Sequence, residues 1–199
     1  KAIPDESVDK KDQPTFYYEV SADVTDINGA TRSGNTSVAV AYQALQLNID
    51  MPEKIHGDSL HAFTIRSANL NDIFEKALVN VTFIRVKAPD KIFRERYWQQ
   101  PDQFTMSRDE YYGYFSHDVY KDEDKVQNRP LAEKFIDKTD STVEKGNWEL
   151  GIGHWAPGWY KIIATTKDKY GEEVKAEKFI QVLGSTERSR SVEAGKGLS

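Results

Sequence analysis

The feature that most constrains this chain is a strand-turn-strand unit that occurs twice. Tyr18-Glu19-Val20-Ser21-Ala22-Asp23-Val24 alternates apolar with polar side chains, the period of a half-buried strand. Asp26-Ile27-Asn28-Gly29 follows as a hairpin turn, and Ser37–Ala41 is the return strand. The layout returns 142 positions later, with Tyr160–Ala164, the turn Asp168-Lys169-Tyr170-Gly171, and Phe179–Val182. Without a gap, Tyr18 matches Tyr160, Ala22 matches Ala164, Asp26 matches Asp168, Gly29 matches Gly171 and Val40 matches Val182. Val20 with Ile162 and Val38 with Ile180 are conservative pairs. The identities fall at a strand start, a turn and a strand end, so Gly29 and Gly171 carry structural roles. Recurrence of a supersecondary unit marks a modular array.

If the hairpin closes a module each time, the chain divides four ways. Residues 1–14 are a polar linker or disordered lead-in. Residues 15–44 are the C-terminal hairpin of an incomplete module. Residues 45–184 are a complete module, and 185–199 a disordered tail. The complete module reads as strands Leu45–Asp50, His61–Arg66, Val79–Lys87, Lys91–Trp98, Leu131–Asp137, Trp148–Ile152, Tyr160–Lys167 and Val174–Leu183. The expected fold is all-β, an immunoglobulin-like sandwich. An insertion at 99–130 interrupts it, and Ser107-Arg108-Asp109-Glu110 is a capping box that opens a short helix, about Arg108–Phe115. No apolar stretch resembling a signal peptide follows Lys1, and the hairpin recurrence favours an internal fragment. A lone hairpin is marginal in water, so residues 15–44 are expected to dock on the second module or pair with another chain.

Composition removes several function classes. The 199 residues contain no cysteine, which excludes disulfides, thiolate metal sites and cysteine nucleophiles. A net charge of −5 with mixed signs offers no basic stripe for nucleic acid. No apolar run is long enough to span a membrane. Hydrolase elbows and phosphate-cradling glycine loops are missing. His56, His61, His117 and His154 show no metal-ligand spacing. Asp118, Asp122, Glu123 and Asp124 lack the order of a calcium loop and read as a solvated acidic segment. No catalytic residue, cofactor or metal is expected. Carboxylate catalysis stays open as a weak third possibility, because carboxylate spacing is set in three dimensions.

Two groups of aromatics stand out. Pro157-Gly158-Trp159-Tyr160 places Tyr160 where an immunoglobulin-type sandwich keeps a corner tyrosine, its hydroxyl bonding back to nearby backbone. Phe93, Tyr97, Trp98, Phe104, Tyr111, Tyr112, Tyr114, Phe115 and Tyr120 crowd the stretch 93–120. Trp98, Tyr111, Tyr112, Tyr114 and Phe115 form the candidate binding surface, for a carbohydrate or peptide. The competing reading packs these rings down as a satellite core.

The run Tyr17–Thr31 resembles the end of a macroglobulin-type module of bacterial alpha-2-macroglobulin-like proteins. Pro157–Gly171 is similar to the closing hairpin of the next such module. The resemblance implies a large extracytoplasmic protein of stacked β-sandwich domains, in the periplasm or at the outer-membrane surface, that traps proteases. Neighbouring modules of the same polypeptide are then the partners, and proteases the partners of the whole. Many members carry a reactive thioester, which needs a cysteine this chain does not have.

Overall fold

The computed structural model describes residues 3–9, 13–94, 103–151 and 155–184. The fold is all-β. Strands β1 (Thr15–Thr25) and β2 (Thr31–Ala41) form a two-stranded sheet of their own. Eight further strands follow: β3 (Leu45–Asp50), β4 (Lys54–His56), β5 (Ala62–Asn69), β6 (Leu78–Val86), β7 (Leu131–Ser141), β8 (Trp148–Glu149), β9 (Gly158–Lys167) and β10 (Glu173–Leu183). They make a five-stranded sheet ordered β4-β10-β9-β6-β7 and a three-stranded sheet ordered β3-β5-β8.

Both sheets contribute to one core. Leu45 and Ile49 of β3, Phe63 and Ile65 of β5 and Trp148 of β8 meet Val79, Val81 and Phe83 of β6 and Tyr160, Ile162, Ile180 and Val182 of β9–β10. The Phe63 and Phe83 rings meet edge to face between the sheets at 5.4 Å. Trp155 stacks on Phe83 and Tyr160 at 5.4 and 5.3 Å, and its indole N–H donates to the Leu60 carbonyl at 3.0 Å. A bulge between Phe83 and Ile84 adds Phe135 to the β7 side, where it stacks on Trp155 at 5.0 Å. A polar pin joins the ends of β5, β6 and β7. The buried Ser67 and Thr142 hydroxyls lie 2.6 Å apart, and Thr142 Oγ1 accepts from the Ala77 N–H at 2.9 Å.

The two hairpins share one geometry. Tyr18 pairs with Val38 and Tyr160 with Ile180, so the register is conserved across the offset of 142. In each turn the first aspartate organises the loop. Asp26 Oδ1 accepts from the N–H groups of Asn28 and Ala30, at 2.8 and 3.0 Å. Asp168 Oδ1 accepts from Tyr170 and Glu172 at the same two distances. Gly29 and Gly171 sit at φ 84° and 90°, a region glycine enters without steric cost. Asn28 does not share the positive φ expected of an Asn-Gly pair; the aspartate carboxylate and one glycine close the loop instead. The same loop appears a third time at Asn69–Ile73, with Asp72 at φ 60° in the glycine's place. It is thus a general solution for hairpins in this chain.

Two readings of the sequence need correction. Lys91–Arg94 is not a strand: only an isolated bridge joins Arg94 to Asp118, and the rest of the expected Lys91–Trp98 strand lies outside the described residues. Strand β4 was not expected. It has three residues, too short for an alternation signal, and forms only because the end of β10 offers a parallel edge at Gln181–Leu183. Residues 15–44 do meet the rest of the chain, through contacts at the base of the β1–β2 hairpin described below.

A paired substitution tests which hairpin face is core. Ile162→Ala is expected to cost about 2–5 kcal/mol in urea unfolding. Val20→Ala, at the matching position of β1, is expected to cost about 0.5 kcal/mol or less.

Candidate functional site

The insertion leaves β6 and re-enters at β7, and its neck is closed by the Lys87 N–H donating to the Pro130 carbonyl at 2.9 Å. Helix α1 (Arg108–Tyr114) stands within it. Ser107 caps the helix by accepting from the Glu110 N–H, as the capping box requires. Around α1 the rings stack on one another. Tyr111 is central, with Phe115, Tyr120 and Tyr112 at 5.1, 5.4 and 6.0 Å. Phe104 lies on Tyr120 at 4.5 Å, and the Tyr120 hydroxyl donates to the Met106 carbonyl. Lys91 Nζ sits 3.1 Å from the Tyr112 ring centroid, a cation–π contact. Burial and then the Glu123 carboxylate raise the Tyr112 hydroxyl above the ordinary tyrosine range.

The sequence-predicted binding residues therefore separate. Tyr111 and Tyr112 are half-buried in the stack, while Tyr114 and Phe115 face outward at 73% and 43% exposure. Trp98 lies outside the described residues. The stack closes on itself; among the described residues none of its rings stacks on an aromatic of the module core. The acidic segment is internally matched. Asp122 pairs with Lys125 at 2.7 Å, Glu123 accepts from the Lys121 N–H and faces Arg108 at 3.5 Å, and Asp118 faces Arg94 at 3.9 Å. Among the described residues no three such side chains converge as metal ligands. His117 Nδ1 lies 3.1 Å from the Ile92 carbonyl, a tie within the insertion.

A second cluster lies where the two hairpins meet, and sequence reasoning did not single it out. Asp168 Oδ2 accepts from the Ala44 N–H at 2.8 Å, so the turn of the second hairpin grips the segment between β2 and β3. Asp168 is buried. Burial alone would raise its carboxyl, but the N–H groups of Ala44, Tyr170, Glu172 and Gly171 together hold it below the ordinary aspartate value. The Gln43 side chain donates to the Glu173 carbonyl, the Gln13 amide bonds the backbone N–H and carbonyl of Lys175, and Gln46 donates to Thr15 Oγ1 at 3.2 Å. A cleft of about 450 Å³ lies beside these contacts, between Thr15 and Ala41 on one side and Leu47, Arg66 and Lys175 on the other. The signal in the sequence was the repeated aspartate; its burial depends on the fold around it. Tyr160, the predicted corner residue, is buried, and its hydroxyl donates to the Ala156 carbonyl at 3.0 Å.

No protein-family model matches the sequence, and no curated protein matches it. No helix among the described residues is long and apolar enough to cross a membrane.

Two predictions follow from these geometries. Tyr111→Ala removes the centre of the ring stack, each aromatic pair contributing about 0.5–1.5 kcal/mol. Tryptic cleavage at Arg108 and Lys121 should accelerate, while Tyr114→Ala should leave it unchanged. For the junction, a carboxyl held low in the folded state stabilises fully above its unfolded value of about 3.9 and loses that contribution as pH falls through its folded value. Asp168→Asn should cost about 1–3 kcal/mol near neutral pH. It should also flatten the acid arm of the urea midpoint against pH.

Proposed function

We propose that this chain is a non-catalytic scaffold module of a larger extracytoplasmic protein built from stacked immunoglobulin-type β-sandwiches. The observation that carries the reading is the pair of hairpins with one register and one turn, 142 positions apart, joined through Asp168 and Ala44. A module whose closing turn grips the preceding linker is suited to hold its neighbour in a set orientation. Its work is mechanical: strain imposed on one module passes through that grip to the next. The hairpin residues' resemblance to macroglobulin-type modules supports placing the parent among alpha-2-macroglobulin-like protease traps, exposed in the periplasm or at the cell surface. In that setting the chain contributes position and rigidity, and the trapping belongs to the whole polypeptide.

The reading is tested with endopeptidases of several specificities. The isolated chain should leave all of them active at equimolar ratio; stoichiometric inhibition by residues 1–199 would sink the scaffold assignment. The parent polypeptide should block cleavage of a protein substrate at the same ratio. A parent without effect removes the trapping role and leaves the architectural one.

A further inference from the structure

The two hairpins differ in one respect, which is what covers them. On β9–β10 the face carrying Tyr160, Ile162, Ala164, Ile180 and Val182 is fully buried under the β3-β5-β8 sheet. The equivalent face of β1–β2 carries Tyr18, Val20, Ala22, Val38 and Val40. There Tyr18, Val20 and Val38 are 38%, 48% and 42% exposed, against 1%, 0% and 0% for Tyr160, Ile162 and Ile180. The opposite face carries Glu19, Ser21, Asp23, Ser33, Asn35 and Ser37, with Tyr17 and Ala39 at its base end, so it is mainly polar and the other face mainly apolar. An apolar sheet face left open marks an interaction surface.

Three smaller features agree. The edge of β9 away from β10 is paired by β6, whereas among the described residues no second strand lies beside β1. Tyr160 bonds the carbonyl of Ala156, four residues back, but Tyr18 donates to the Ile3 carbonyl and not to Pro14, the residue that corresponds to Ala156. Asp168 Oδ2 holds the N–H of Ala44 at the start of β3, and no described residue donates to Asp26 Oδ2.

We infer that the apolar face of β1–β2 is the docking surface for the front part of a second sandwich of the same kind. That part is a three-stranded sheet with one apolar face, plus an edge strand that pairs along β1. It is supplied by the same polypeptide ahead of residue 15. The direction follows from the second module, where every element covering β9–β10 (β3, β5, β6 and β8) precedes that hairpin in the chain. On docking, Tyr18 takes the Pro14 carbonyl, and Asp26 Oδ2 takes the N–H that opens the incoming first strand. The inference rests on the modular reading above, but not on protease trapping.

The test is hydrogen exchange read by mass spectrometry, on this chain and on its parent polypeptide extended upstream by about one module, ~100 residues. Peptides covering 15–25 and 31–41 should exchange about 100-fold more slowly in the extended protein, approaching the protection of 158–183. Val20→Asp with Val38→Asp should abolish that gain and leave 158–183 unchanged. Equal rates in the two proteins overturn the proposal, as does a reading frame that encodes no alternating apolar strands ahead of Lys1. Sedimentation of the chain alone decides against a second copy as occupant. A dimer that slows exchange at 15–41 and is dissolved by the double aspartate variant would also overturn it. Because no readout involves a protease, failure of the trapping role leaves this test intact.

Discussion

Everything from β3 to β10 depends on covering one face of one hairpin. The β9–β10 pair presents Tyr160, Ile162, Ile180 and Val182 on a single side, and an apolar sheet face of that size is stable only against another apolar surface. The β3-β5-β8 sheet supplies it, and the Phe63–Phe83 and Trp155–Tyr160 contacts fill the space between. The Trp155 indole and the Tyr160 hydroxyl both reach backbone carbonyls, so the largest buried rings leave these polar atoms satisfied. With the core set, β6 and β7 extend the sheet, and the insertion can grow from their ends without entering it.

The matching hairpin, β1–β2, is left uncovered. Its turn, register and glycine are those of β9–β10, yet among the described residues its strands are held at the base, through Gln13, Gln43, Gln46 and the Asp168–Ala44 bond. One sequence pattern thus gives a core element in one place and an open sheet in another. The difference lies in what surrounds the pattern and not in the pattern.

This explains which parts of the structure could be read in advance. Strands with several alternating apolar positions, such as Leu45–Asp50 and Tyr160–Lys167, announce themselves, and so do Asp-x-x-Gly turns and the Ser107–Glu110 cap. Strand β4 could not be seen, because three residues carry no period and its partner lies more than 120 residues away. Lys91–Arg94 misled, because Ile92 and Phe93 are residues that favour strands, while Lys91 turns to the Tyr112 ring. The aromatic density of the insertion was plain from composition. That Tyr111 would gather its neighbours into a closed stack was not, since helical phase says which side chains share a face and nothing about what returns to cover it. Asp26 and Asp168 look alike in sequence; only the fold buries one of them.

The neck of the insertion has a consequence of its own. Lys87 and Pro130 are held together by a backbone hydrogen bond at the end of a bulged strand pair, and the loop beyond carries its own helix cap and ring stack. Closure entropy rises only slowly with loop length, so the module is nearly indifferent to what lies between those two residues. The neck is therefore a splice port. Through it a lineage can exchange one displayed segment for another, and an engineer can graft a foreign one, while the sheets beneath keep their register.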